Sequence, residues 1–162
     1  YEGGHHVPVL VRWPGTVKAG STNETLVSQI DVMATIAAIV DFSLPDDAAE
    51  DSHNLMPLLK GASKPVRTTH VHNTHVNEYA IRHNEWLLVD TKSGYVSGRN
   101  KEWESKHGYP DEDNGPVELY NLNEDIGQRN NVAKEHPELV EQLQARLKQI
   151  RDQGYSAPRI SK

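Results

Sequence analysis

The sequence has no cysteine among its 162 residues. A disulfide framework, a thiolate zinc site and a cysteine nucleophile are therefore excluded. No apolar run reaches the ~18 residues that a membrane-crossing helix requires, so no membrane partner is expected. Basic residues are also scarce, with 17 Lys and Arg against 23 Asp and Glu, giving a net charge of −6. A mildly acidic surface with no basic run does not suit nucleic acid, and no nucleic-acid partner is expected. Hydrophobic residues make up only 36% of the chain. That fraction suggests core-facing surface covered by protein outside this sequence. The chain opens on Tyr1 and enters an apolar stretch almost at once, so we expect a piece of a longer protein.

What is present falls into two patterns. Val7 to Trp13 is nearly continuous in β-branched and apolar residues, which predicts a strand buried on both faces. Pro14-Gly15 ends it in a turn. Asp31 is placed to cap a helix over Val32 to Val40, an uncharged stretch whose apolar residues spread around most of its circumference, as in a buried helix. Residues 41–68 read as loop around a short helix near Leu55 to Leu59. The pattern then changes. Thr69–His75, Glu78–Arg82, Trp86–Val89 and Val117–Leu122 are short β-type runs, with Asn84-Glu85 as a hairpin turn. Residues 90–116 read as a long loop. Pro137 opens a final helix and Gly154 closes it. Leu139, Val140, Leu143, Leu147 and Ile150 form one stripe, which predicts a long helix packed on a small antiparallel sheet.

Three groups of residues stand in a telling order. The first is Tyr1-Glu2-Gly3-Gly4, then Val7-Pro8 and a strand ending Arg12-Trp13-Pro14-Gly15. The second is Leu26 to Asp31 leading into the helix, then Leu55-Met56-Pro57-Leu58-Leu59-Lys60-Gly61. The third is Tyr79-Ala80-Ile81-Arg82 with Trp86, then Glu118-Leu119-Tyr120-Asn121-Leu122 with Asp125, Gly127, Asn130 and Asn131. His136-Pro137-Glu138-Leu139 opens the final helix. Taken together, these segments resemble the C-terminal portion of the formylglycine-dependent sulfatases, arylsulfatase-like members of the alkaline phosphatase superfamily. The resemblance covers nearly the whole chain. It implies a fold passing from α/β to α+β. Residues 1–65 would supply the last strand and buried helix of an alkaline-phosphatase-like core. Residues 66–162 would form a C-terminal subdomain of small antiparallel sheet on a long helix.

The resemblance implies a parent enzyme that hydrolyses sulfate esters. It also implies that this chain completes the fold and borders the substrate cleft without the catalytic groups. Formylglycine arises from a C/S-x-P-x-R motif. Ser156-Ala157-Pro158-Arg159 misses that motif, with its Arg one position early. No catalytic residue and no metal ligand is expected here, and the isolated chain is expected to be inactive. Calcium and formylglycine are expected in the N-terminal catalytic portion, the chain's principal partner. The implied substrate is a sulfated carbohydrate or an aryl sulfate, and the implied location is periplasmic or secreted. Uncovered core surface would let the isolated chain dimerise. Two alternatives stand beside this: a free-standing binding module without chemistry, and a piece of a related phosphate or phosphonate ester hydrolase.

Among nine histidines, three are candidates for substrate contact. His5 and His6 follow the two glycines, in a loop that the resemblance places beside the cleft, where many relatives carry an arginine at the second position. His72 lies on a strand whose end approaches the substrate pocket in the family. Relatives carry another histidine next, where this chain has Asn73. His70 and His72 share a strand face while His75 points to the other, a poor arrangement for three ligands on one metal. The acidic run Asp46, Asp47, Glu50 and Asp51 reads as solvated loop. Trp13 and Trp86 read as core, and Trp103, in the charged loop, as the more exposed aromatic. Asn23-Glu24-Thr25 is a glycosylation sequon, a short match that chance produces often.

Overall fold

The structure, a computed structural model, describes residues 1–75, 77–91, 100–108 and 115–158. The chain divides into two compact units. One comprises Tyr1–Val7 and Thr69–Gln149, and the other Pro8–Thr68 and the residues from Ile150 on.

The first unit is built on a four-stranded antiparallel sheet in the order β1-β2-β3-β4. Its strands are β1 (Thr69–His75), β2 (Glu78–His83), β3 (Trp86–Asp90) and β4 (Glu118–Asn121). Asn84 sits at φ 52°, and Asn tolerates that left-handed backbone better than most residues, so the two-residue hairpin between β2 and β3 closes tightly. Residues directly opposite share a face. Ile81, Leu88 and Leu119 are cross-strand neighbours and all fully buried. The next residues along, Ala80, Leu87, Val89 and Tyr120, cluster on the other face with Leu122, and Tyr1 packs against them. Burying each Leu or Ile side chain contributes about 1.5–3 kcal/mol, so a single alternating pattern stabilises both faces at once.

Helix α4 (Pro137–Gln153) buries Val140, Leu143 and Leu147, matching the stripe read from the sequence. It covers the Leu88 face. Gln144 donates to Asp90 at 2.8 Å, and the Trp86 ring meets His136 edge-on at 5.2 Å. After β4 the chain turns sharply under local control. Asp125 accepts from the amides of Arg129 and Asn130, and Asn131 accepts from those of Leu119 and Ala133. Part of the stretch expected as loop is helical. Asn100 accepts from the amides of Glu102 and Trp103 and starts the short helix α3 (Lys101–Lys106).

The second unit holds α1 (Asp31–Ile39) and α2 (Met56–Leu59). Asp31 does not cap α1 as expected. It lies inside the helix start with no exposure, and its carboxylate pairs with the buried Arg67 guanidinium and accepts from the amides of Ser28 and His53. Thr35, one turn on, accepts from the Leu55 amide and so ties α1 to the approach of α2. The helix ends at Ile39, with Val40 as its C-cap and Asp41 at φ 54°.

Two expectations about apolar burial are corrected within this unit. Residues 8–13 are not a strand, and neither is Val7. They run without a ladder partner among the described residues, and Leu10 is 93% exposed. A strand exists only through its neighbour's hydrogen bonds, so an apolar β-rich run without one stays irregular. Helix α1 likewise shows Val32, Met33, Ile36, Ile39 and Val40 at the surface. Its buried residues are Asp31, Thr35 and Ala37. The polar anchors fix one side, and the apolar side has no cover within the unit.

Candidate substrate-facing site

The site forms on the Ala80 face of the sheet, opposite α4. His70 lies across from Arg82, and His72 across from Ala80, so both histidines project to this face. The opening residues complete it. A single 3-10 turn, Glu2–Gly4, brings His5 over β1. The His5 and His72 rings meet at 4.2 Å, and the His70 and His72 rings stack at 5.6 Å.

Glu2 fixes this turn. It is buried, its carboxylate lies 3.4 Å from Arg82 and 3.3 Å from His6, and its amide donates to Gln128 at 2.6 Å. Tyr1 adds a second anchor, donating to the buried Glu118 at 2.8 Å, and Tyr120 donates to the same oxygen at 2.9 Å. The two glycines that follow Glu2 carry no packing demand, since a Cβ at Gly3 or Gly4 would meet nothing within 4 Å.

Neither ring nitrogen of His72 has a hydrogen-bond partner, although both are buried. Its pKa is lowered to about 3, first by burial and then by the His5 and His70 imidazoles beside it. His5 is lowered as well, again chiefly by burial, with Glu2 opposing the shift and Arg82 adding to it. At ordinary pH both rings are neutral. The exposed His5 ring suits hydrogen bonds to hydroxyl groups better than charge pairing with an anion, and the buried His72 ring backs it. His6 is mostly exposed and reaches the site only through Glu2.

The structure thus brings His5 and His72 together, with His6 one residue outside. Glu2, Arg82, Glu118 and Gln128, which position them, are not singled out by the sequence. Glu2, Arg82 and Glu118 lie within the motifs of the resemblance, but nothing in sequence spacing pairs residues so far apart. Gln128 had a faint signal, its place between Gly127 and the paired asparagines. His75 belongs to β1, but its side chain lies outside the described residues. So do Arg159 and the rest of the loop around Trp103.

No group of three metal-ligating side chains converges among the described residues. The acidic run does not make a calcium cage. Asp51 accepts from Ser156 at 2.6 Å, and Asp46 and Asp47 face solvent. Ser156 is held by this bond, and its amide and that of Ala157 donate to the Glu50 carbonyl, so the near-miss motif serves to pin the chain's last described residues.

Residues 1–153 match the protein family described as N-sulphoglucosamine sulphohydrolase, C-terminal. An N-acetylgalactosamine-6-O-sulfatase of Bacteroides thetaiotaomicron is 34% identical over 93% of this chain and 28% of its own length. Arylsulfatase G of Mus musculus is 28% identical over 94% of this chain and 29% of its own length. A solved structure from work on the metabolism of multiple glycosaminoglycans by Bacteroides thetaiotaomicron superposes with a TM-score of 0.66, at 31% identity, over 86% of this chain and 28% of that one. A second, in complex with its substrate D-glucosamine-2-N,6-O-disulfate, gives a TM-score of 0.59 at 22% identity over 87% of this chain and 28% of that one, a likeness of fold. The chain spans under a third of the length of these relatives.

Proposed function

This chain belongs to the N-sulphoglucosamine sulphohydrolase C-terminal family, and on that premise we propose that the whole protein hydrolyses sulfate esters of a carbohydrate. The observation that carries this reading is the match along residues 1–153, joined to 34% identity with a sulfatase named for a sulfated amino sugar. Sulfated carbohydrate is favoured over aryl sulfate by that relative's name and by the exposed, neutral His5 ring, which suits sugar hydroxyls.

The N-terminal portion supplies the chemistry. Formylglycine and calcium belong there, where they would provide the attacking hydroxyl and offset charge on the sulfate. This chain contributes binding and support. His5, at the surface, holds hydroxyls of the sugar beside the sulfate, the buried His72 ring backs it, and His6 borders them. Glu2, Arg82 and Gln128 hold the turn that presents His5. Residues 1–65 complete the α/β core. The uncovered apolar side chains of the second unit, Val9 to Val11 and the outer face of α1, support that role, because surfaces of this kind mark protein contact.

The test is hydrolysis by the full-length protein of N-acetylgalactosamine 6-sulfate, 4-methylumbelliferyl sulfate and 4-methylumbelliferyl phosphate. Sulfate release, with the sugar preferred, supports the reading. Release of phosphate alone overturns it and selects the phosphate ester alternative.

A further inference from the structure

One turn serves two surfaces. In the segment Asp125–Asn130, Gln128 points inward at φ 53° and holds the Glu2 amide, while the next residue, Arg129, is exposed and donates to the carbonyl of His107 at the end of α3. The turn that positions His5 is therefore also the anchor of α3.

Helix α3 carries Trp103, which is 47% exposed and stacks on His107, with ring centroids 4.1 Å apart and planes at 21°. Local hydrogen bonds frame the stack. His107 bonds back to the Trp103 carbonyl at 2.6 Å, and Asn100 caps the Trp103 amide. Exposed large apolar side chains are rare in this part of the unit. Within residues 69–149, the described ones are Trp103 and Ile126, and Ile126 lies on the same Asp125–Asn130 turn. Lys106, three residues on, shares the helix face of Trp103, while Glu102 and Glu104 lie to its sides. An aromatic ring set singly among charges is too small for a protein interface, which needs a contiguous apolar centre. It matches the size of one pyranose ring, and Lys106 and Arg129 favour a sugar that carries sulfate or carboxylate.

We infer that Trp103, with Arg129 and Lys106, forms a second saccharide subsite for an anionic oligosaccharide, linked through the Gln128–Arg129 turn to the site at His5 and His72. The inference rests on the carbohydrate reading above and sharpens it. The substrate is then a chain of several sugars, with one unit at the histidines and a later one stacked on Trp103.

The test uses the full-length protein and three probes: a chondroitin 6-sulfate hexasaccharide, a heparin hexasaccharide and N-acetylgalactosamine 6-sulfate, with binding followed by calorimetry. Trp103→Ala should weaken the hexasaccharide that binds by roughly two- to tenfold, the worth of one stacked ring, and leave the monosaccharide unchanged. Trp103→Phe, which keeps a smaller ring, should fall between. Equal melting temperatures for the three proteins establish that the substitutions act locally. Hexasaccharide affinity unchanged in Trp103→Ala overturns the subsite. Failure of the wild type to bind either hexasaccharide overturns it too, while sulfate release from the monosaccharide or the aryl sulfate still judges the sulfatase reading by itself.

Discussion

The His5 and His72 rings meet at a tilt of 56° with centroids 4.2 Å apart, although 67 positions separate them in sequence and neither nitrogen of His72 has a hydrogen-bond partner. Burial makes protonating either ring costly. The His5–His72 contact therefore makes the opening turn sensitive to acid.

Stability of the sheet unit should fall on acidification. His72 has a folded pKa of about 3 and His5 is lowered too, both from 6.5. An imidazole that is harder to protonate when folded contributes stability that is fully present above pH 6.5 and lost as pH falls below it toward pH 3. Arg82, His70 and His6 face the pair with further positive charge available, and Glu2 alone opposes them. Thermal melts between pH 7 and pH 4 should show a falling Tm for the wild type and a shallower fall for His72→Gln. Parallel profiles would contradict the assignment.

The Asp31–Arg67 pair should be costly to break from one side. Both side chains are 0–1% exposed, so Arg67→Ala or Asp31→Ala strands a buried charge. Loss of about 3–5 kcal/mol is expected for either. Denaturant unfolding measures it, and a value under about 1 kcal/mol would mean that water reaches the survivor.

Gln128 should matter more than its distance from any chemistry suggests. Gln128→Ala leaves the buried Glu2 amide without its acceptor, at about 1–3 kcal/mol. The substitution should also loosen His5, raising KM for a sulfated sugar more than it lowers kcat. A kcat loss with KM unchanged would place Gln128 in another role.

The isolated chain should bind a hydrophobic dye or self-associate, since α1 and Val9 to Val11 present apolar side chains to solvent. Ile36→Lys, on that face of α1, should reduce either response without lowering Tm. A dye-silent monomer would contradict the reading of this surface as a contact face.

The sheet and its helix were legible because their information is local. Alternation wrote β1 to β4, the hairpin residues set their turns, and Pro137, Gly154 and the stripe between them wrote α4. The apolar run at Val7 to Trp13 and the apolar circumference of α1 were just as legible as composition, but burial depends on what lies opposite, and a chain cannot state that locally. Helix α3 escaped notice because its stability comes from the Asn100 cap and from Arg129 rather than from an apolar stripe. At the candidate site, the histidines stand out by residue type. Their supports were missed because Glu2 meets Arg82 across 80 positions and Gln128 across 126.

The most direct measurement is steady-state kinetics of full-length wild type and His72→Ala on N-acetylgalactosamine 6-sulfate and on 4-methylumbelliferyl sulfate, with His72→Gln as a folded control. The account predicts sulfate release from both substrates, a raised KM for the sugar in His72→Ala, and near-wild-type turnover of the aryl ester, which has no sugar hydroxyls to hold. Equal losses on both substrates, or none on either, would contradict it.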